Sequence, residues 1–439
     1  MTITQGSTAL LTDHYELTML QAALAAGTAH RRTTFELFGR KLPEGRRYGV
    51  VAGVGRALDA IERFHFDDAT LAVLSDERIV DEPTLAWLAD FRFTGDVRGY
   101  GEGEAYFPGS PLLVVEAPFA EAVLLETVLL SIYNHDSAIA GAASRMTGVA
   151  EGRPCIEMGS RRTHEEAAVA AARAAYVAGF EATSNLAARA RYGVPSTGTS
   201  AHAFTLLHDS EADAFRAQVD SLGVGTSLLV DTYDVAEAVR LGVEVAGTDL
   251  GAVRLDSGDL GVLAVDVRRQ LDSLGATGTR IIVTSDLDEF AIASLASAPV
   301  DGYGVGTRLV TGSGHPTSAF VYKLVAREAD DGTMVPVAKR SANKLSVGGS
   351  KRAARRLQDG TAVAEVIAVG ADPTPEAGTE DRLLQRDLVL GGEVVGRESL
   401  EDARARHAAA RAELPVTARS LSRGEPVVPT VYETATDRA

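Results

Sequence analysis

The run Val194-Pro195-Ser196-Thr197-Gly198-Thr199-Ser200-Ala201-His202-Ala203-Phe204 is a short extended stretch that breaks into small polar residues and contains a histidine. It reads as a strand whose C-terminal end opens into a site. The same grammar is an apolar run of strand length followed at once by Gly, Ser, Thr, Asp or Arg. It recurs at 155–164 (CIEMGSRRTH), 227–234 (SLLVDTYD), 251–259 (GAVRLDSGD), 280–286 (RIIVTSD) and 300–308 (VDGYGVGTR). Scaffolding has no need of polar residues at one end of six successive strands, whereas a (β/α) barrel builds its active site there. The sequence therefore reads as that of an enzyme.

Between these runs lie helical patterns at 164–179, 211–222, 235–241, 260–274 and 287–295. Alternation at this spacing argues for parallel strands joined by crossover helices. Six or seven strands are too few for a full eight-fold barrel, so the expectation is an irregular or partly open one. A doubly wound open sheet is the alternative, with its ligand also beyond the strand C-termini. Upstream, 12–24 (TDHYELTMLQAAL) reads as an amphipathic helix, 33–38 and 48–51 as strands, and 102–116 as two strands around a Pro-Gly-Ser-Pro turn. The fold class is α/β. An N-terminal α/β domain is expected over 1–130, the barrel over 131–345, and a C-terminal segment over 346–439 with short β runs and a helix at 400–414.

At 439 residues and 45% hydrophobic the chain can bury a large core. Its 60 acidic residues against 43 basic ones give a net charge of −17, so nucleic-acid and anionic-membrane partners are not expected. One cysteine, Cys155, excludes an intramolecular disulfide and a Cys-based zinc site, and a cytoplasmic setting fits. Residues 1–11 show no basic region followed by an apolar core, so no secretory leader is expected, and no later segment runs 18 residues without charge.

The chemistry concentrates at the strand ends. Arg254 and Asp256 stand two apart and point to one side, where Arg254 can grip a carboxylate or phosphate. Asp256 and Asp259 can accept sugar hydroxyls or hold Mg²⁺; an internal Arg–Asp salt bridge is the structural alternative. Gly304, Gly306 and Thr307 end a strand in exposed N–H groups suited to phosphate, and 311–315 (TGSGH) extends that loop. Arg161 and Arg162 can neutralise a polyanion such as pyrophosphate. His202 has no partner at metal-ligand spacing, and the sequence assigns no metal ligands. Asp231, or less directly Asp234, can orient its ring for service as a general base or a nucleophile towards phosphorus. Tyr15, in the first turn of the 12–24 helix, either joins the core or offers its ring to a planar ligand.

Taken together and in order, TDHYELTM, EMGSRR, GTSAH, RLDSGD and GVGT resemble the nicotinate phosphoribosyltransferase family from Thr12 to about Lys351. The resemblance implies a type II phosphoribosyltransferase whose C-terminal segment packs back on the first domain. It implies that nicotinate and 5-phosphoribosyl 1-pyrophosphate (PRPP) are joined to give nicotinate mononucleotide and pyrophosphate, with Mg²⁺ as cofactor and ATP as co-substrate. That is a ligase-type, ATP-dependent step of NAD salvage. By matched motif, His202 is the residue phosphorylated by ATP, Asp231 its supporting carboxylate, Asp256 the carboxylate near the ribose, and Thr199 part of the GT-x-A-H motif. Arg254 matches the arginine at the nicotinate carboxylate, Thr307 the residue at the PRPP phosphate, and Arg161 and Arg162 the pair near pyrophosphate. Tyr15 matches a ring that stacks on the pyridine from a neighbouring subunit, implying a homodimer with shared active sites. A nicotinamide phosphoribosyltransferase and a non-catalytic nucleotide-sensing protein on the same fold are the alternatives. The acid-free stretch 339–356, with Lys339, Arg340, Lys344, Lys351, Arg352, Arg355 and Arg356, is expected to be a solvated basic face or a phosphate-facing loop.

Overall fold

The computed structural model describes residues 6–339 and 347–433. The chain divides into two compact units, residues 1–138 with 317–439, and residues 139–316.

The first unit is built on a seven-stranded antiparallel sheet. Its order is Met334–Pro336, Phe320–Glu328, Arg32–Gly39, Leu113–Pro118, Asp96–Tyr100, Gln385–Leu390 and Glu393–Val394. Arg32–Gly39 is an inner strand and all but its first residue are buried, which suits its β-branched and aromatic content. Helices His14–Ala25, Val54–Glu62, Asp68–Asp76, Glu82–Ala89 and Phe119–Leu124 contribute to the hydrophobic core of this unit. Two of them start where the sequence supplies a cap: Asp67 accepts from Thr70 N, and Asp81 from Thr84 N. A four-stranded sheet, Glu380–Leu383, Lys351–Gln358, Thr361–Val369 and Thr430–Glu433, completes the unit.

Two expectations change here. The barrel was expected to run to residue 345, yet Phe320–Glu328 pairs with Arg32–Gly39, so the C-terminal contribution to the first unit begins at 317. The basic stretch divides where it is described: Lys339 is exposed, while Lys351–Gln358 is an inner strand of its sheet, flanked on both sides, and its cations are paired with acids. Lys351 Nζ lies 2.7 Å from Glu36 Oε2, Arg355 Nη2 lies 2.8 Å from Glu365 Oε2, and Arg356 is bonded to Asp381 and Glu376. Arg340 and Lys344 lie outside the described residues.

The second unit carries a six-stranded, wholly parallel sheet. Its order is Ala182–Thr183, Cys155–Glu157, Gly302–Val305, Arg280–Val283, Ala252–Leu255 and Ser227–Leu229. The first and last of these strands in the chain, Cys155–Glu157 and Gly302–Val305, pair with each other. That is the pairing that closes a barrel, and it sets aside the doubly wound alternative. The ring stays open at one seam, between Ala182–Thr183 and Ser227–Leu229.

The 194–204 run belongs at that seam, but it does not form the expected strand. It makes one bridge, Thr183 with Ser196, held by Thr183 N to Pro195 O at 2.9 Å and Thr197 N to Thr183 O at 3.0 Å. Pro195 has no N–H to extend a ladder, and Gly198 weakens strand pairing. His202 instead opens a six-residue helix, His202–Leu207. Helices Glu165–Val177, Glu211–Leu222, Val235–Ala246, Leu260–Ser273 and Glu289–Ser294 follow the sequence reading closely. Among the described residues no helix is long and apolar enough to cross a membrane.

The Lys351–Glu36 pair gives a stability test, since the two side chains are only 2% and 3% exposed. Glu36→Ala leaves the ammonium buried without its counter-charge and is expected to cost about 3–5 kcal/mol. The double variant Glu36→Leu, Lys351→Met is expected to recover most of that loss. Urea unfolding followed by circular dichroism measures both.

Candidate active site

All six parallel strands deliver their C-terminal ends to one side of the sheet, and the polar residues that follow them are brought together there. Asp231, just past Ser227–Leu229, is the hub. Its side chain is 3% exposed. Oδ1 lies 3.2 Å from His202 Nε2, while Oδ2 accepts from Asp256 N at 2.9 Å and from Ser257 Oγ at 2.7 Å. A carboxylate is an acceptor only, so His202 Nε2 is the protonated ring nitrogen in this bond and Nδ1 carries the lone pair. The expected His202–Asp231 pairing is present, and it bridges the open seam.

Arg254 sits on the next strand and is half-buried. Its Nη1 donates to Thr199 Oγ1 at 3.2 Å, and its Nε is buried with no hydrogen-bond partner. Burial pushes the guanidinium pKa down, Asp256 and Asp231 pull it back up, and the positive charge of Arg161 adds to the lowering. A desolvated cation with an unpartnered donor, and a second arginine acting on it, has the features that favour binding an anion. Asp256 itself accepts from Thr284 Oγ1, so one of its oxygens is already engaged. The internal Arg–Asp ion pair considered from the sequence is not what holds Arg254; its bonded neighbour is Thr199.

Arg161 and Arg162 are exposed, and neither side chain has a hydrogen-bond or ion-pair partner among the described residues. Their loop is held by Glu157, a fully buried carboxylate that accepts from Gly159 N and Thr183 Oγ1. Burial pushes the Glu157 pKa up, and those two bonds offset part of the rise. Gly306 precedes the short helix Thr307–Val310, and its carbonyl accepts from Leu309 N at 3.1 Å. Thr307 is half-buried in that helix's first position.

The remaining residues singled out from the sequence also have structural settings. Asp234 and Asp259 are helix caps: Asp234 accepts from Glu237 N at 2.8 Å and Asp259 from Val262 N at 3.2 Å. Gly304 lies inside the strand Gly302–Val305 and is buried. A Cβ there would stand 2.5 Å from Thr284 Cγ2 and 2.7 Å from Met158 Sδ, so the glycine serves packing. Tyr15 belongs to the first unit, where its side chain is 45% exposed. Partial burial, followed by Glu126 and Glu16, pushes its pKa up to about 12, so its hydroxyl stays protonated. Residues the sequence reading missed are Glu157, Thr183, Ser257 and Thr284. Only Glu157, an acid inside an apolar strand, carried a signal.

The N-terminal residues 10–134 match the family described as the nicotinate phosphoribosyltransferase (NAPRTase) N-terminal domain. The chain is 56% identical over 434 residues to nicotinate phosphoribosyltransferase pncB1 of Mycobacterium tuberculosis, covering 97% of this chain and 95% of that protein. It is 39% identical over 360 residues to the nicotinate phosphoribosyltransferase of Bacillus subtilis, covering 80% and 73%. Among solved structures, human nicotinic acid phosphoribosyltransferase superposes with a TM-score of 0.82 at 26% identity, covering 96% of this chain and 97% of that one.

The packing role of Gly304 is separable from any ligand role. Gly304→Ala is expected to lower stability by about 1–3 kcal/mol through overpacking. Thermal unfolding without ligand measures it, and unchanged stability would return Gly304 to the phosphate site.

Proposed function

The chain belongs to the nicotinate phosphoribosyltransferase family, and from that premise we propose a reaction with nicotinate and PRPP as substrates and ATP coupled through His202. The products are nicotinate mononucleotide, a precursor in NAD biosynthesis, and pyrophosphate. The array that carries this reading is Asp231 with His202 on one side and the strand end bearing Arg254 on the other.

Arg254 supplies the specificity. Its buried, unpartnered Nε and its Nη groups form a planar fork of donors that matches the pyridine carboxylate. The ring nitrogen of nicotinate is already a nucleophile and needs no base. It attacks the anomeric carbon of PRPP, the bond from that carbon to pyrophosphate breaks, and the electron pair leaves with pyrophosphate. Positive charge builds on the sugar, where Asp256 is the nearby carboxylate, and negative charge builds on the leaving group, where Arg161 and Arg162 stand unpaired. Thr307 and the amide of Gly306 bind the 5-phosphate.

Among the described residues no group of three or more His, Cys, Asp or Glu side chains is arranged to hold a metal. That donor set fits Mg²⁺ entering with PRPP, with Asp256 as its protein carboxylate, since Mg²⁺ commonly takes one or two carboxylates plus substrate phosphates. Bound there, the ion would neutralise charge developing on pyrophosphate.

His202 is then free for energy coupling. Asp231 holds Nε2–H, leaving Nδ1 to attack the terminal phosphorus of ATP with ADP as leaving group; water later takes the phosphoryl group. Phosphorylation places about two negative charges beside the PRPP site. The exposed ring of Tyr15 supports a homodimer in which it reaches the neighbouring subunit's pyridine. The acidic composition and a single buried cysteine suit the cytoplasm.

Pyrophosphate release from Mg²⁺-PRPP tests the reading, with nicotinate, nicotinamide and quinolinate in parallel and with or without ATP. Release is expected with nicotinate alone, increased by ATP. His202→Ala should keep slow ATP-independent turnover and lose the stimulation. Arg254→Gln should raise KM for nicotinate about 10- to 100-fold, the worth of a charge-assisted hydrogen bond. Turnover with nicotinamide in place of nicotinate would overturn the substrate, and full ATP stimulation of His202→Ala would overturn the phosphohistidine.

A further inference from the structure

The 311–315 loop that follows Thr307 has a backbone its sequence does not favour. Gly312, Ser313 and Gly314 stand at φ of 62°, 54° and 89°, three consecutive residues in the left-handed region, closed by His315 N to Gly312 O at 3.1 Å. Glycine accepts that conformation freely, whereas serine carries a Cβ into it at a cost. A non-glycine residue stays there only where its surroundings over-determine it, and such positions cluster at ligand clamps.

The determinant here is a buried carboxylate. Ser313 Oγ donates to Glu289 Oε2 at 2.5 Å, and Glu289 Oε1 accepts from Arg145 Nε at 3.0 Å. The Glu289 and Arg145 side chains are 3% and 8% exposed, so the pair is desolvated and geometrically firm. Asp288, capping Phe290 N and Ala291 N, fixes the start of the helix that bears Glu289. At its other end the turn is tied to Thr307, whose carbonyl accepts from Thr311 N at 3.1 Å and from Thr311 Oγ1 at 2.8 Å. Ser313 and Thr307 are thus joined through Thr311.

We propose that Glu289 is a positioning residue for phosphoribosyl transfer, acting through the Ser313 hydroxyl to hold the 312–314 turn and, through Thr311, the phosphate-binding residue Thr307. This rests on the reading of Thr307 as a ligand of the PRPP phosphate. Substrate phosphate then meets a preset loop and does not have to order one, and the benefit falls on PRPP and not on nicotinate.

Steady-state pyrophosphate release by the full chain, with Mg²⁺-PRPP and nicotinate varied separately, tests this. Ser313→Ala removes the hydroxyl and leaves the Glu289–Arg145 pair intact, so folding is preserved. It should raise KM for PRPP about 10-fold while KM for nicotinate stays within about 2-fold of the parent. Glu289→Gln should shift the same constant in the same direction, and Thr307→Val more strongly. An unchanged KM for PRPP in Ser313→Ala, or an equal rise in both constants, overturns the positioning role while the Thr307 effect keeps the parent reading standing. Absence of PRPP-dependent release in the parent, or no effect of Thr307→Val, overturns both.

Discussion

The Asp231 carboxylate is the constraint on which the parallel-sheet unit depends. It follows a strand of only three residues at the free edge of an open sheet, where the ladder to Ala252–Leu255 has run out after Val230 N to Arg254 O at 3.2 Å. Its Oδ2 continues that ladder by accepting from Asp256 N and Ser257 Oγ. Its Oδ1 reaches across the seam to His202, on the one segment that fails to become a strand. A carboxylate this buried is tolerable only because its lone pairs are occupied. The bonds that make its burial affordable are also the bonds that fix the imidazole tautomer and the start of the Asp256 loop. Bridging the open seam and placing the imidazole are thus one physical requirement.

The first unit solves a different problem, in which charges are buried without forming a site. Lys351, Arg355 and Arg356 each meet acids from elsewhere in the chain, and Arg355 also lies 4.9 Å over the ring of Phe107. Buried ion pairs of this kind add little net stability over apolar packing, yet losing one partner is severe. They specify which strands meet. In contrast, the arginines past the parallel strands lack such partners. Among the described residues, what separates the structural arginines from those proposed to bind substrate is whether a carboxylate is bonded to them.

Much of this was legible in the sequence because local signals and the fold agree. Helix periodicity located the crossover helices, and the strand-end polar residues located the face where His202, Asp231, Arg254 and Asp256 converge. The misreadings share a cause. Asp234 and Asp259 look like site residues because an N-cap and a catalytic acid use the same side chain at the same place, immediately after a strand. The basic run misled because the acid opposite Lys351 lies 315 residues away in sequence. Gly304 reads as a phosphate-loop glycine until the Thr284 and Met158 side chains that crowd it are known. Non-local packing decides each of these, and no window of sequence contains it.

The electrostatics of the strand ends favour coupling a charge change to substrate binding. The chain is strongly acidic, with a net charge of −17, yet at Arg254 burial lowers the guanidinium pKa, Asp256 and Asp231 oppose that, and Arg161 adds to the lowering. A desolvated cation with a second arginine near it gains from the arrival of an anion. PRPP brings its phosphates to those cations. A phosphoryl group on His202 would draw on the same cations, since His202 is bonded to Asp231 and Arg254 to Thr199, three residues before His202 in the chain. The two anions then compete for one set of positive charges. On the proposed phosphohistidine reading, occupancy of His202 would change what the arginines offer to pyrophosphate without requiring any large movement of the sheet.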